Sequence, residues 1–191
     1  MIEGGGSKDF AHVRGMAYAQ PELFQRLMNL LTEATIEYLS AQVTAGAEAL
    51  MLFDSWAGVL APSLFRAHCV MPAARIVSAL KTRHPEVPVI GFPRLAGVMT
   101  RDYGATGVDA VGVDTGSDIA IVASRLRTDV AVQGNLDPLA VVAGGAAMAD
   151  EARAILDAMR GRPFVFNLGH GVVPQTPPEH VAALLELVRG R

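Results

Sequence analysis

Residues 164–171, FVFNLGHG, show the pattern from which the fold of this chain is predicted. The stretch begins as a short aromatic and β-branched run, which is typical of a buried strand. It ends in a polar, glycine-flanked tip that contains Asn167 and His170. A strand that ends in a polar loop with one imidazole is a common place for chemistry in α/β proteins.

The same arrangement, an apolar run followed by a polar or glycine-rich tip, occurs four more times upstream. The runs are nearly continuous rather than alternating, which predicts strands buried on both faces, as in a parallel sheet. Short connections between strands and helices favour either a doubly wound open sheet or part of a (β/α)8 barrel. Five units are too few to close a normal barrel. The predicted strands are residues 49–53, 87–92, 108–113, 130–133 and 164–167.

Apolar residues spaced by three and four, with suitable start and stop residues, predict the helices. Pro72 is expected to kink or split the second helix. Ser117 or Asp118 is expected to cap the fourth, and a capping box at residues 176–179 to open the last. Residues 2–7, IEGGGS, are interpreted as the exit from a strand, with a disordered start as the alternative. The predicted helices are residues 21–45, 62–84, 99–104, 118–126, 149–160 and 178–188.

Length and composition predict one compact domain, residues 1–191, because 191 residues can bury a sizeable core. The chain is 51% hydrophobic and 18% charged, with mean hydropathy +0.31. A net charge of −3, without long Lys/Arg runs, gives no support for a nucleic-acid or anionic-membrane partner. The single cysteine, Cys69, allows no intrachain disulfide, and a cytoplasmic location is expected. No secretory signal or membrane span is recognised in the sequence.

The polar tips are where chemistry is expected, because the carboxyl ends of parallel strands meet at one edge of a sheet. Ser55 and His170 suggest a nucleophile and base, but the G-x-S-x-G motif of many serine hydrolases is absent. The alternatives are a Ser55 hydroxyl that caps a loop amide and a structural His170. The tips hold Asp54 and Ser55, Pro93 and Arg94, Asp114 and Thr115, Asn135 and Asp137, and Asn167 and His170.

A metal site is not expected, because the histidines show no pairing at ligand spacing. Asp54, Asp114 and Asp137 lie on different tips and could assemble, although scattered acids are common in loops. Arg94 is interpreted either as a clamp for an anion or as a surface residue. Trp56 is expected to line a pocket or to pack its own loop. The Rossmann and P-loop glycine patterns are both absent, which argues against nucleotide binding.

Taken together, the tips resemble the uroporphyrinogen decarboxylase family over nearly all 191 residues. The combination of FDSWAG, QGNLDP and NLGHG is the most specific part of this resemblance. The matching motifs are IEGGGS at residues 2–7, FDSWAG at 53–58, IGFPR at 90–94, GVDAVGVDT at 107–115, QGNLDP at 133–138 and FNLGHG at 166–171, followed by Pro174.

The resemblance implies a distorted (β/α)8 barrel, usually a homodimer, in porphyrin and heme biosynthesis. It implies a carboxy-lyase that decarboxylates the acetate side chains of uroporphyrinogen III to give coproporphyrinogen III without metal or organic cofactor. The implied steps are protonation of a pyrrole ring, loss of CO2 and reprotonation. By motif, the substrate-binding residues of the family fall on Ser55, His170 and Phe53.

The resemblance also implies that the five strands are the last five of eight. Family members carry about as much chain again before IEGGGS, including an arginine-rich motif and the acid that binds the pyrrole NH groups. No catalytic residue is therefore assigned within this chain. The alternatives are an incompetent fragment that needs an N-terminal part, and a corrinoid/thiol methyltransferase of the same superfamily. The methyltransferase alternative requires zinc-binding His/Cys residues at strand tips, a pattern that the sequence does not show.

Overall fold

The computed structural model describes residues 2–190, in which five parallel strands form one sheet. The strands lie side by side in the order in which they occur along the chain, and helices separate them. The predicted α/β fold of parallel strands is thereby confirmed. The strands are β1 (Leu50–Asp54), β2 (Val89–Pro93), β3 (Ala110–Gly112), β4 (Ala131–Leu136) and β5 (Phe164–Leu168).

The register of the sheet brings all five strand tips to one edge. Asp54 of β1 is the partner of Pro93 of β2, and Asn135 of β4 is the partner of Asn167 of β5. The neighbours β2, β3 and β4 are paired in parallel in the same way. Loops that follow the strands therefore converge, as expected for the carboxyl edge of a parallel sheet.

The helices agree with prediction except for two short ones that were not predicted, α1 (Ala11–Ala19) and α7 (Pro138–Ala143). The helix α8 (Gly145–Ala158) also begins four residues earlier than predicted. No helix in the described part of the chain is both long and apolar enough to cross a bilayer. The helices are α1 (Ala11–Ala19), α2 (Pro21–Thr44), α3 (Pro62–Phe65), α4 (Met71–Arg83), α5 (Thr100–Gly104), α6 (Ile119–Arg125), α7 (Pro138–Ala143), α8 (Gly145–Ala158) and α9 (Pro178–Val188).

Pro72 splits the helix in which it lies, as predicted. A single π-helical turn, Arg66–Val70, separates α3 from α4. Proline has no N–H to donate and its ring crowds the carbonyl four residues earlier, here that of His68. The wider turn relieves this crowding while the chain continues in the same general direction.

Of the two helix caps predicted from the sequence, one is confirmed and one is wrong. The Asp118 carboxylate accepts a hydrogen bond from the Ile121 amide and caps α6, as predicted. The capping box at the start of α9 was wrong, because Pro177 takes the N-cap position and no side chain caps the helix. Pro178 occupies the first helical position and offers no N–H to a capping oxygen. The Thr176 hydroxyl is buried and has no hydrogen-bond partner within residues 2–190.

The main core lies between the sheet and the surrounding helices. Central strands are buried on both faces, as the continuous apolar runs predicted. The edge strands differ, because every second residue of β5 is exposed and β1 carries Phe53 at 62% exposure. Val165 of β5 is likewise 46% exposed. One face of the sheet is therefore open near both edges.

Candidate functional site

An open cleft of about 650 Å³ lies on the uncovered face of the sheet, near its carboxyl edge. All five strands contribute residues to its lining, and so do the loops that follow β1, β2, β3 and β5. The residues that line the cleft are Met51, Phe53, Ser55, Trp56, Phe92, Arg94, Gly112, Val113, Gln133, Asn167, Leu168, His170 and Gly171.

Two phenylalanines form an aromatic wall of the cleft. The rings of Phe53 and Phe92 meet edge to face, with centroids 5.8 Å apart and an angle of 84°. Phe92 is buried, whereas Phe53 stays exposed to the cleft. Gly112 makes room for this pair, since a Cβ there would come within 2.7 Å of Phe92 Cδ2. The wall presents the exposed ring of Phe53 to the cleft, an apolar surface of the kind that packs against an aromatic ring of a ligand.

Ser55 and His170 lie at the tips of β1 and β5, the two outermost strands of the sheet, and both line the cleft. Both are exposed. The hydrogen bond that Ser55 makes to a side chain within residues 2–190 uses its carbonyl oxygen rather than its hydroxyl. The hydroxyl and the imidazole are thus available to a ligand as hydrogen-bonding groups.

Arg94 lies at the end of β2, with its guanidinium over the indole of Trp56. The distance from Arg94 Cζ to the ring centroid is 5.7 Å, and Nη1 donates a long 3.4 Å hydrogen bond to the Ser55 carbonyl. A second partner of the tryptophan is Phe10, whose ring centroid is 4.9 Å away. Contact with both partners fixes the indole at the mouth of the cleft.

Phe10 reaches Trp56 because the segment before α1 folds back on that helix. The Glu3 carboxylate accepts a 2.8 Å hydrogen bond from the Val13 amide in the first turn of α1. This bond is the main reason why the pKa of Glu3 is lowered. The Ser7 hydroxyl accepts a further bond from the Phe10 amide. Residues 2–10 thus form turns and bends that cap a helix. Their interpretation as the exit from a strand remains a prediction.

Asp114 joins the loops at the tips of three strands. Its carboxylate accepts hydrogen bonds from the Leu95 amide at 2.8 Å and from the Gly116 amide at 2.9 Å. Its carbonyl oxygen accepts one from Asn135 Nδ2 at 2.9 Å. Leu95 adopts a left-handed conformation with φ of 63°, which this bond helps to hold. Asp114 therefore supports the cleft from behind and does not line it.

The two glycines beside His170 have different surroundings. A Cβ on Gly169 would lie 2.3 Å from the Thr115 amide nitrogen and 2.8 Å from the Asp114 carbonyl carbon, whereas Gly171 has open space around it. The Gly169 amide also donates a 2.9 Å hydrogen bond to the Leu136 carbonyl. Close packing of Gly169 on the loop that follows β3 fixes the position of the backbone from which His170 extends.

Comparison with known proteins gives the family of the chain. The family model described as uroporphyrinogen decarboxylase matches residues 1–191. The chain belongs to the uroporphyrinogen decarboxylase family. A uroporphyrinogen decarboxylase from Granulibacter bethesdensis is 60% identical over 190 residues, which are 99% of this chain and 55% of that protein. One from Gluconacetobacter diazotrophicus is 59% identical and is 54% covered.

The chain spans about half the length of these curated relatives of the uroporphyrinogen decarboxylase family. A solved structure of a methyltransferase from Methanosarcina mazei matches with a TM-score of 0.81 at 21% identity. The match covers 94% of this chain and 52% of that one. It shows a shared fold of barrel type, of which the chain forms a part.

The three acids at the strand tips do not come together, so the assembly considered from the sequence is wrong. Asp54 faces the helix layer, Asp114 is hydrogen-bonded within the loops, and Asp137 caps α7 through the Leu139 amide. Among residues 2–190 no three His, Cys, Asp or Glu side chains are placed to share a metal ion.

Asp54 lies in a small buried polar cluster behind β1. Burial raises the pKa of its carboxyl, and hydrogen bonds from the Cys69 thiol and the Trp56 amide offset this only in part. Burial and the Asp54 charge raise the pKa of the Cys69 thiol in turn. The thiol is therefore protonated and faces away from the cleft, as does the buried Tyr103 hydroxyl beside it, whose pKa burial also raises.

Gln133 is a polar residue of the cleft for which no site role was predicted from the sequence. It lies in β4, 6% exposed, and its Nε2 is 3.7 Å from Met51 Sδ. The predicted strand ended at residue 133, so Gln133 was treated as a strand residue without a site role. The strand in fact continues to Leu136. Gln133 lines the cleft, whereas Asn135 Nδ2 donates to the Asp114 carbonyl in the buried loop network. A polar residue within an apolar run was the available signal.

Proposed function

We propose that this chain is the C-terminal part of a uroporphyrinogen decarboxylase and supplies half of its active-site cleft. The reaction removes CO2 from the acetate side chains of uroporphyrinogen III to give coproporphyrinogen III. The proposal covers residues 1–191 as one domain of a cytoplasmic, cofactor-free enzyme of porphyrin and heme biosynthesis. Its support is family membership together with the chemistry of the cleft.

The observation that carries the proposal is the charge of the cleft lining. The chain has a net charge of −3, yet no Asp or Glu is among the described residues that line the cleft. The lining instead offers a hydroxyl, amides, an imidazole and a guanidinium around an aromatic wall. Such a surface suits a macrocycle of pyrrole rings with carboxylate side chains.

Ser55 and His170 are proposed as donors to substrate carboxylates, and Phe53 as a surface for the face of a pyrrole ring. In the proposed reaction a pyrrole ring is protonated, and the electron pair of the bond to the acetate carboxyl moves into the cationic ring as CO2 leaves. The remaining methylene is then protonated to a methyl group as the ring proton departs. Aromatic and polar neighbours lower the energy of the cationic ring when they are already in place.

The group that delivers the first proton is not assigned to this chain. The described acids nearest the tips, Asp54 and Asp114, face the helix layer and the loop network rather than the cleft. We propose that three further β/α units complete the barrel and bring this group. Their places are the edges of β1 and β5, which have no strand partner on their outer sides within residues 2–190. The completed barrel is proposed to be a homodimer.

The methyltransferase alternative has less support. A corrinoid/thiol methyltransferase would need a metal-binding thiol at a strand tip, but Cys69 is buried behind β1 as a protonated thiol. The likeness to the Methanosarcina mazei methyltransferase concerns the fold. The chain could be an inert fragment, or it could be half of a cleft that becomes active when the barrel is completed. Only in the second case should the chain alone bind the substrate.

Binding of a tetrapyrrole to the chain alone tests the proposal. Trp56 is the single tryptophan of the sequence and lines the cleft, so its fluorescence reports occupancy. We expect uroporphyrin I, a stable octacarboxylate, to quench it saturably. A dicarboxylate porphyrin should bind at least about tenfold more weakly, because one charge-assisted hydrogen bond contributes about 1.5–3 kcal/mol.

N-acetyl-tryptophanamide at matched absorbance controls for light absorption by the porphyrin. Added salt should weaken binding of the octacarboxylate more than that of the dicarboxylate. Equal affinity for both porphyrins, or no saturable quenching by uroporphyrin I, would contradict the proposed function.

A further inference from the structure

We propose that Arg94 binds a second substrate carboxylate and makes the cleft selective for highly carboxylated tetrapyrroles. This inference rests on the proposed function, and it adds a residue to those expected from the family motif, Ser55, His170 and Phe53. Arg94 is thereby a specificity-determining residue whose ligand is a carboxylate at the rim of the macrocycle.

The backbone at Arg94 is held in place on both sides. Its amide donates a 3.1 Å hydrogen bond to the Asp54 carbonyl, and its carbonyl accepts a 3.0 Å bond from the Gly58 amide. A Cβ on Gly58 would lie 2.0 Å from the Leu95 carbonyl oxygen, so the two loops are packed in direct contact. The loop that carries Arg94 is therefore locked to the loop that carries Ser55.

The side chain of Arg94 is directed into the cleft. It is half-buried and is among the cleft-lining residues. Its guanidinium lies 5.7 Å from the centroid of the Trp56 ring. Stacking on an indole orients the planar group and lowers the entropy lost when it binds a ligand.

The charge of Arg94 is not neutralised by a carboxylate of the protein within residues 2–190, since its single side-chain hydrogen bond goes to the Ser55 carbonyl at 3.4 Å. A guanidinium has five N–H donors, so most of them remain for a ligand. Other arginines and a lysine are already in ion pairs, namely Arg66, Arg75, Lys81, Arg83, Arg127, Arg153 and Arg160.

The ligand class follows from the geometry of the donor. A planar guanidinium binds a carboxylate through two parallel hydrogen bonds, which a point charge cannot reproduce. His170, on the β5 tip and three strands away from Arg94, provides a separate place for a carboxylate on the same cleft. Two such places favour a ligand with carboxylates around its rim over one that has lost some of them, and hence substrate over product.

The test compares three variants by titration of Trp56 fluorescence and by calorimetry with uroporphyrin I, an octacarboxylate, and coproporphyrin I, a tetracarboxylate. We expect Arg94→Gln to weaken uroporphyrin I binding about 10- to 100-fold and to reduce the preference over coproporphyrin I. Arg94→Lys should recover part of the affinity, because it restores the charge without the two-bond geometry.

Arg160→Gln is the matched control for net charge. Arg160 lies before β5, at the amino ends of the strands, whereas the cleft lies at their carboxyl ends. Its exposed ion pair with Asp157 contributes little to stability. This variant should bind both porphyrins as the unmodified chain does. Calorimetry measures affinity independently of Trp56 emission, which loss of the stacked guanidinium could itself change. If the glutamine variant does not fold, Arg94→Lys provides the comparison.

Affinities for Arg94→Gln equal to those of the unmodified chain, with the octacarboxylate still preferred, would overturn the role of Arg94 and leave the proposed function standing. Absence of any preference in the unmodified chain would overturn both. The two failures are thus distinguishable in one set of titrations.

Discussion

Replacing Gly169 with alanine is expected to destabilise the chain by about 1–3 kcal/mol and to displace the loop that carries His170. The added Cβ would be placed 2.3 Å from the Thr115 nitrogen and 2.8 Å from the Asp114 carbonyl carbon. These are backbone atoms, so the contact cannot be relieved by rotating a side chain. The β5 tip would have to move away from β3. This movement would disturb the hydrogen bond that the Gly169 amide donates to the Leu136 carbonyl.

Gly171→Ala is the matched control, because Gly171 lies two residues further on and a Cβ there would meet no atom within 4 Å. Urea unfolding should show a lower midpoint for Gly169→Ala and an unchanged midpoint for Gly171→Ala. Uroporphyrin I binding should weaken in the Gly169→Ala variant. Equal unfolding midpoints of the two variants, with uroporphyrin I binding by Gly169→Ala unchanged, would show that His170 is not placed by the packing of Gly169.

His170→Ala is expected to lower kcat/KM for uroporphyrinogen by about 10- to 100-fold in a complete barrel, mainly through a higher KM. The imidazole is exposed in the cleft and is proposed to donate to a substrate carboxylate. Loss of that bond also frees the substrate to bind in other orientations, so the mixture of partly decarboxylated products should change.

His170→Gln retains a hydrogen-bond donor and should recover part of the lost kcat/KM. His12→Ala serves as a control, since His12 is exposed on α1 and is not among the residues that line the cleft. Unchanged KM and product distribution for His170→Ala would remove His170 from the substrate site.

The strand tips could be predicted because each one follows a short apolar run. Residues 164–167 and 49–53 agree with β5 and β1 to within a residue, and both were expected to end at one edge of the sheet. The cleft there brings together Ser55, His170 and Phe53, the three residues that motif resemblance singled out. Their roles toward a substrate remain predictions.

The directions of side chains along the strands were harder to predict. Successive residues of a strand point to opposite faces of the sheet. An error of one residue in the predicted position of a strand therefore assigns cleft residues to the core and core residues to the cleft. Phe53 faces the cleft while its neighbour Asp54 faces the helix layer and Cys69. Because of this alternation Asp54 does not meet the acids on the other tips, and the three acids are scattered, which is one of the two possibilities that the sequence left open.

The helix α1 was missed because its stabilising contact is not local. It contains Gly15, and its N-cap position is Phe10 with a left-handed φ of 52°, which is no recognisable start signal. The Glu3 carboxylate supplies the missing cap from ten residues before Val13. A pattern search confined to the helix and its flanking residues cannot detect such a bond.

The structure is explained best as five units of a barrel whose cleft is shared with further units. The outer edges of β1 and β5 offer unpaired backbone groups within residues 2–190, and exposed edges of this kind favour pairing with other strands. Phe53 and Val165 are also exposed on the open face, where a closed barrel would cover them. Catalysis and barrel closure are therefore expected to depend on the same additional contacts.

The most direct test measures uroporphyrinogen decarboxylation by the chain alone and after addition of the part of the Granulibacter bethesdensis relative that it does not match, the remainder beyond the 55% that is covered. The intact relative serves as the positive control, and size-exclusion chromatography shows whether the two parts associate. We expect no measurable coproporphyrinogen from either part alone and clear product from the associated pair. Product from the chain alone, or none from a pair that is shown to associate, would contradict it.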